Sequence, residues 1–174
     1  MSMNRIVPIM ALLFVLEGAL VPWLIPDSFD DRIIPHFIFV MVIFAALYRG
    51  RFASLMIGAG FGLLQDIVYY GHMLGVHFFL MAIIGYFTGL LLEKKRVTLL
   101  MAISVVGLCC IVYDSVLFGI YYVFRITNAS YAWSLIHYIL PSLFLQLAFA
   151  LALYIPLRRM FQSRMSNGAD DEEE

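Results

Sequence analysis

The stretch Phe52-Ala53-Ser54-Leu55-Met56-Ile57-Gly58-Ala59-Gly60-Phe61-Gly62-Leu63-Leu64-Gln65-Asp66-Ile67-Val68-Tyr69-Tyr70 runs for nineteen residues with one charged side chain. As a helix it covers about 28 Å, close to the roughly 30 Å of a bilayer's hydrocarbon core. Gly58, Gly62 and Asp66 recur every four residues, so a smooth small-residue stripe leads to the carboxylate along one face. A carboxylate inside a span costs roughly 3 kcal/mol unless it is shielded or paired, so this face must turn toward protein. The segment therefore reads as a membrane helix built to meet another helix.

The rest of the chain agrees. Of its 174 residues 63% are hydrophobic and 13% charged, against about 25% charged in soluble domains. With a mean hydropathy of +0.93, the outer surface must be apolar as well, which excludes a soluble fold. Apolar runs at 6–25, 34–48, 52–70, 72–92, 97–124 and 131–157 predict an all-α integral membrane protein, a six-transmembrane-helix bundle filling residues 1–162. The run 34–48 is short and is expected near a locally thin or polar place. Glu17 interrupts the first run and no small-x-small site follows it, so it reads as a retained span. Residues 163–174, ending Ala-Asp-Asp-Glu-Glu-Glu, are expected to be a disordered acidic tail. The adjacent Cys109 and Cys110 point about 100° apart on a helix and are expected to pack as small apolar residues.

Basic residues set the orientation. Arg5, Arg49, Arg51, Lys94, Lys95, Arg96, Arg158, Arg159 and Arg164 fall on one side of a six-span arrangement, and only Arg32 and Arg125 on the other. That nine-to-two division places both termini in the cytoplasm. Trp23 and Trp133 then read as outer-interface aromatics, and Lys94-Lys95-Arg96 as a topology anchor with access to anionic lipid or a cytoplasmic partner.

In this frame Glu17, Asp66 and Asp114 all lie in the outer halves of odd-numbered spans, while His36, His77 and His137 stand near the outer beginnings of even-numbered ones. One ionisable group per helix at similar depth predicts a shared polar region opening outward. Small-residue faces support close helix approach: His77, Met81, Gly85 and Gly89 in the fourth span, and Ser104, Gly107, Cys110 or Ile111, and Asp114 in the fifth. The pairs Gly58/Gly62, Gly71/Gly75 and Gly85/Gly89 are expected to serve packing within the chain, a homodimer being the other use of such pairs. Gly50, in a loop, is expected to tolerate a side chain better than Gly62. Pro141, one turn beyond His137, removes a backbone hydrogen bond and predicts a local kink.

The acids and histidines admit several readings: a buried network fixing helix register, a partner-binding or small-molecule cavity, a metal site, or a proton relay through Asp66 or Asp114 in a small carrier. No His-x3-His or Glu-x-x-His pair places two ligands on one helix face, so no metal or other cofactor is expected. There is no Gly-rich phosphate loop, His-Glu-x-x-His, Gly-x-Ser-x-Gly or Cys-x-x-Cys, and no basic aromatic face for nucleic acid. Ser104, Ser115 and Ser142 stand in no hydrolase motif. An enzyme is not expected.

Gly58-Ala-Gly60-Phe61-Gly62-Leu63-Leu64-Gln65-Asp66, followed by Leu74-Gly75-Val76 and an apolar helix, resembles the central signature of the rod shape-determining protein MreD family. Pro35, the apolar stretch after it and Tyr48-Arg49-Gly50 look like that family's second span and turn. Glu17 and the histidines at 36, 77 and 137 belong to no general family pattern. The resemblance implies a non-enzymatic scaffold of the bacterial elongation machinery in the cytoplasmic membrane. It would bind MreC and through it connect MreB to RodA and its penicillin-binding transpeptidase partner in lateral peptidoglycan synthesis. The family is also similar in fold to the substrate-binding subunits of energy-coupling-factor transporters, so a vitamin- or metal-capturing subunit is the alternative. Those subunits dock through Ala-x3-Ala patterns in the first span, whereas here the corresponding part reads Ile6-Val7-Pro8-Ile9-Met10-Ala11-Leu12-Leu13.

Overall fold

The computed structural model describes residues 3–24, 36–68, 73–92 and 97–167, and within them every element is helical. The helices are α1 (Met3–Leu24), α2 (Phe37–Arg49), α3 (Arg51–Val68), α4 (Val76–Leu92), α5 (Leu99–Val123), α6 (Tyr131–Ser134) and α7 (Leu140–Asn167). A π-helical turn over Leu135–Ile139 joins α6 to α7 without a break. Three helical stretches are long and apolar enough to cross a membrane: Arg51–Val68, Leu99–Val123 and Tyr131–Ile155. Three more apolar stretches, Val7–Ala19 within the longer α1, Phe37–Arg49 and Val76–Leu92, are shorter.

The short α2 has a physical reason. Its 13 residues cover only ~20 Å, yet every residue from Ile38 to Leu47 is at most 4% exposed. It is the central post of the bundle, wrapped by α1, α3, α4, α5 and α7. A helix sheathed in protein does not have to match the thickness of hydrocarbon. The surrounding helices turn apolar side chains outward, among them Leu12 on α1, Met56 on α3, Leu91 on α4 and Leu100 on α5.

Close backbone contact holds α3 to α4. A Cβ on Gly58 would lie 2.8 Å from the Met81 carbonyl oxygen, one on Gly62 2.6 Å from that of His77, and one on Gly89 2.5 Å from Arg51 Cα. Gly85 lets Val42 of α2 into the same seam, at 2.9 Å from where its Cβ would be. Across this smooth contact the Ser54 hydroxyl donates to the Gly85 carbonyl at 2.9 Å. The glycine stripes are thus filled by neighbouring helices of the same chain.

Two glycines do different work from that expected. Gly75 lies outside the helix at φ +95°, and its carbonyl takes the first bond of α4 from the Phe79 N–H at 3.0 Å. It serves through backbone conformation, not through helix packing, and Gly71 falls outside the described residues. Gly50 turns α2 directly into α3 at φ 89°, ψ 179°, a region that only glycine occupies without strain, so it is not a tolerant loop position.

On α5 the expected face turns inward at Gly107, Cys110 and Asp114 but not at its Ser104 end. Ser104 and Ile111 are exposed, while Ala102, Val106, Cys109, Cys110 and Tyr113 are buried. Size and polarity misled here: the bulky Tyr113 goes inward and the small Ser104 outward. Both cysteines are free and buried, and the Thr88 hydroxyl lies 3.3 Å from Cys109 Sγ. The disturbance near Pro141 takes the form of the π turn, in which the Leu140 N–H reaches the Leu135 carbonyl. The last helix continues to Asn167, so the start of the expected tail, 163–167, is helical. Gln162, Arg164 and Met165 are good helix formers and extend it.

The polar connection 26–33, Lys94 to Arg96, residues 168–174, and the side chains of Arg5, Trp23, Arg158, Arg159 and Arg164 lie outside what is described.

Candidate functional site

The starts of α2 and α4 lie against buried residues and have no local cap. Position 36, where α2 starts, is a histidine whose side chain makes no capping bond, and α4 follows Gly75, which has no side chain. Their first-turn N–H groups would be orphaned inside the protein. By contrast α5 and α6 bring their own caps: Thr98 accepts from the Met101 N–H at 3.3 Å and Ser130 from the Trp133 N–H at 3.4 Å.

The carboxylates of preceding helices supply what α2 and α4 lack. Asp66, only 1% exposed, accepts from the His77 N–H through Oδ1 at 3.2 Å and from the Phe78 N–H through Oδ2 at 3.0 Å. Glu17, 8% exposed, accepts from the Ile38 N–H through Oε2 at 3.2 Å. Its other oxygen, Oε1, accepts from the Gln65 amide at 3.3 Å, which ties α1 to α3. Each carboxylate sits at the positive end of a helix dipole, where a negative charge is favoured.

Tyr113 of α5 stands between these caps, fully buried. Its hydroxyl meets Nδ1 of His77, its ring stacks on Phe39 with centroids 4.3 Å apart, and its edge meets His36 at 5.0 Å. The His36 and His77 rings lie 6.0 Å apart. One residue further on, Asp114 approaches His36, with Oδ1 at 3.6 Å from Nε2. Glu17, His36, Asp66, His77 and Asp114 therefore gather within one turn of the beginnings of α2 and α4, at one end of the bundle.

His137 does not join them. Its Nδ1 lies 3.0 Å from the carbonyl of Trp133 on its own helix, and its ring stacks on Trp133 at 4.7 Å. This corrects the expectation of a third histidine in the cluster, since pairing within the α6–α7 helix already engages the ring. Among the described residues no three His, Cys, Asp or Glu side chains converge to hold a metal ion. Tyr113 and Gln65, by contrast, are members that composition alone did not single out. Tyr113 falls on the spacing 106, 109/110, 113 of the buried face of α5, and that periodicity is the signal that marks it.

Beside the cluster lies a cavity of about 240 Å³, open to one side, between the end of α5 and the start of the α6–α7 helix. Asp114 and His36 form its polar corner and Phe118, Tyr121, Trp133 and Tyr138 its aromatic walls.

Apolar helices around a central post, with carboxylates of one helix capping the next, define a multi-pass helical membrane protein. A family model described as rod shape-determining protein MreD matches residues 3–164, and the chain belongs to that family of shape-determining proteins. No curated protein and no solved structure matches, so the expected likeness to energy-coupling-factor subunits has no counterpart in the comparisons.

Proposed function

We propose that this chain is a non-enzymatic scaffold of the cell-elongation complex, spanning the bacterial cytoplasmic membrane six times with both termini in the cytoplasm. It binds MreC directly, and the assembly connects MreB filaments to RodA and a penicillin-binding transpeptidase. The family match over nearly the whole chain carries this reading. The packing supports it. Two of the three carboxylates of the cluster, Glu17 and Asp66, are spent on backbone donors at helix starts, an arrangement that fixes helix positions rather than one that turns over a substrate. The six apolar helices can all span because the shortest is enclosed by the others.

Co-purification tests the proposal. A tagged full-length chain extracted from its own membrane should bring out MreC, and cells lacking the chain should lose rod shape. Recovery of an ATPase module in place of MreC would overturn it.

A further inference from the structure

Asp114 is the one carboxylate of the cluster that caps no helix. Among the described residues its Oδ2 is buried without a hydrogen-bond partner, and its Oδ1 reaches His36 Nε2 only at 3.6 Å, beyond hydrogen-bond length. His36 Nδ1, on the same corner, is also without a partner. Buried polar groups in native proteins are nearly always satisfied, so an acidic group left this way calls for a donor that the described residues do not supply. The cavity next to it is walled by Phe118, Tyr121, Trp133 and Tyr138, and among the described residues no Lys or Arg lines it.

Aromatic faces carry negative potential and attract cations held against them, and a carboxylate at the same site completes such a pocket. An anion would be repelled by Asp114, and a purely apolar occupant would leave that carboxylate unsatisfied. A hard metal ion is usually held by several carboxylate and carbonyl oxygens, and among the described lining residues Asp114 is the only carboxylate, the other side-chain oxygens being hydroxyls of Thr127, Ser134, Ser142 and two tyrosines. The volume equals roughly eight water molecules at ~30 Å³ each, enough for a small head group.

We infer that the cavity between α5 and the α6–α7 helix binds an organic ammonium group, with Asp114 as its counter-ion and the four aromatic rings as its walls. The ammonium is carried either by a free alkylamine or by the head group of an aminophospholipid. This goes beyond the scaffold role and stands or falls independently of it.

The test uses the full chain in nonionic detergent on a Trp23→Phe background, so that Trp133, which lines the cavity, is the sole tryptophan reporter. Butylammonium chloride should change its fluorescence saturably at concentrations at least tenfold below those needed with butanol, with potassium chloride as the ionic control. Asp114→Asn should remove that tenfold preference, and Phe118→Leu, which keeps an apolar residue at the site, should weaken it several-fold even if Asp114→Asn does not fold. Native mass spectrometry from membranes holding phosphatidylethanolamine and phosphatidylglycerol separates the two sources. Retention of phosphatidylethanolamine that is lost with Asp114→Asn supports a lipid head group, and ammonium binding without such retention supports a free amine. Equal responses to butylammonium and butanol, or a preference that survives both substitutions, would overturn the inference.

Discussion

Asp66 binds two N–H groups at the start of another helix, and nothing else in the described structure can take them. Asp66→Leu leaves both donors unpaired next to an apolar side chain and should cost about 3 kcal/mol, whereas Asp66→Asn keeps one acceptor and should cost about 1 kcal/mol. Thermal unfolding in detergent, followed by maleimide reaction of the buried Cys109 and Cys110, reads the difference. Equal losses for Leu and Asn would show that capping is not the role of this carboxylate. Gly62 provides a second contrast. Alanine there places a methyl group 2.6 Å from the His77 carbonyl and should cost about 1–3 kcal/mol by overpacking. At Gly60, where a Cβ meets nothing within 4 Å, alanine should be neutral or stabilising by up to about 1 kcal/mol. The reverse ranking would mean that the seam lies elsewhere.

Among the elements, the α2–α3 hairpin depends on a single connecting residue. Gly50→Ala forces a side chain into a conformation reserved for glycine and should destabilise the protein by about 1–3 kcal/mol, with a lower melting temperature as the measure. An unchanged melting temperature would show that the hairpin can turn another way. The hairpin also shows where local reading fails. The Gly-x3-Gly-x3-Asp spacing of α3 was legible because its period belongs to the helix itself. The φ of Gly50 and that of Gly75 were not, since backbone conformation at a turn depends on the angle between the helices it joins. The missing caps of α2 and α4 were open to view as His36 and Gly75. What sequence could not say is which distant carboxylate would fill each vacancy.

Across the bundle, the level shared by Glu17, Asp66 and Asp114 could be counted from span boundaries, but their partners could not, because these depend on how the helices pack around α2. Composition indicated that lipid surrounds the protein. It could not reveal that the shortest apolar run is the most enclosed. The orientation proposed for this assembly leads to a direct test. With Cys109 and Cys110 shielded in the core, Ser28→Cys should react with a membrane-impermeant maleimide added outside intact spheroplasts, and Ser166→Cys only after lysis. The opposite labelling would invert the topology.

The carboxylate caps also imply an order of manufacture. Glu17 precedes Ile38 by 21 residues, and Asp66 precedes His77 by 11. A chain leaving the ribosome N-terminus first therefore carries each acceptor before the helix that needs it emerges. His36, by contrast, must wait for Asp114, so the ammonium pocket is the last part of this polar cluster to close during biogenesis.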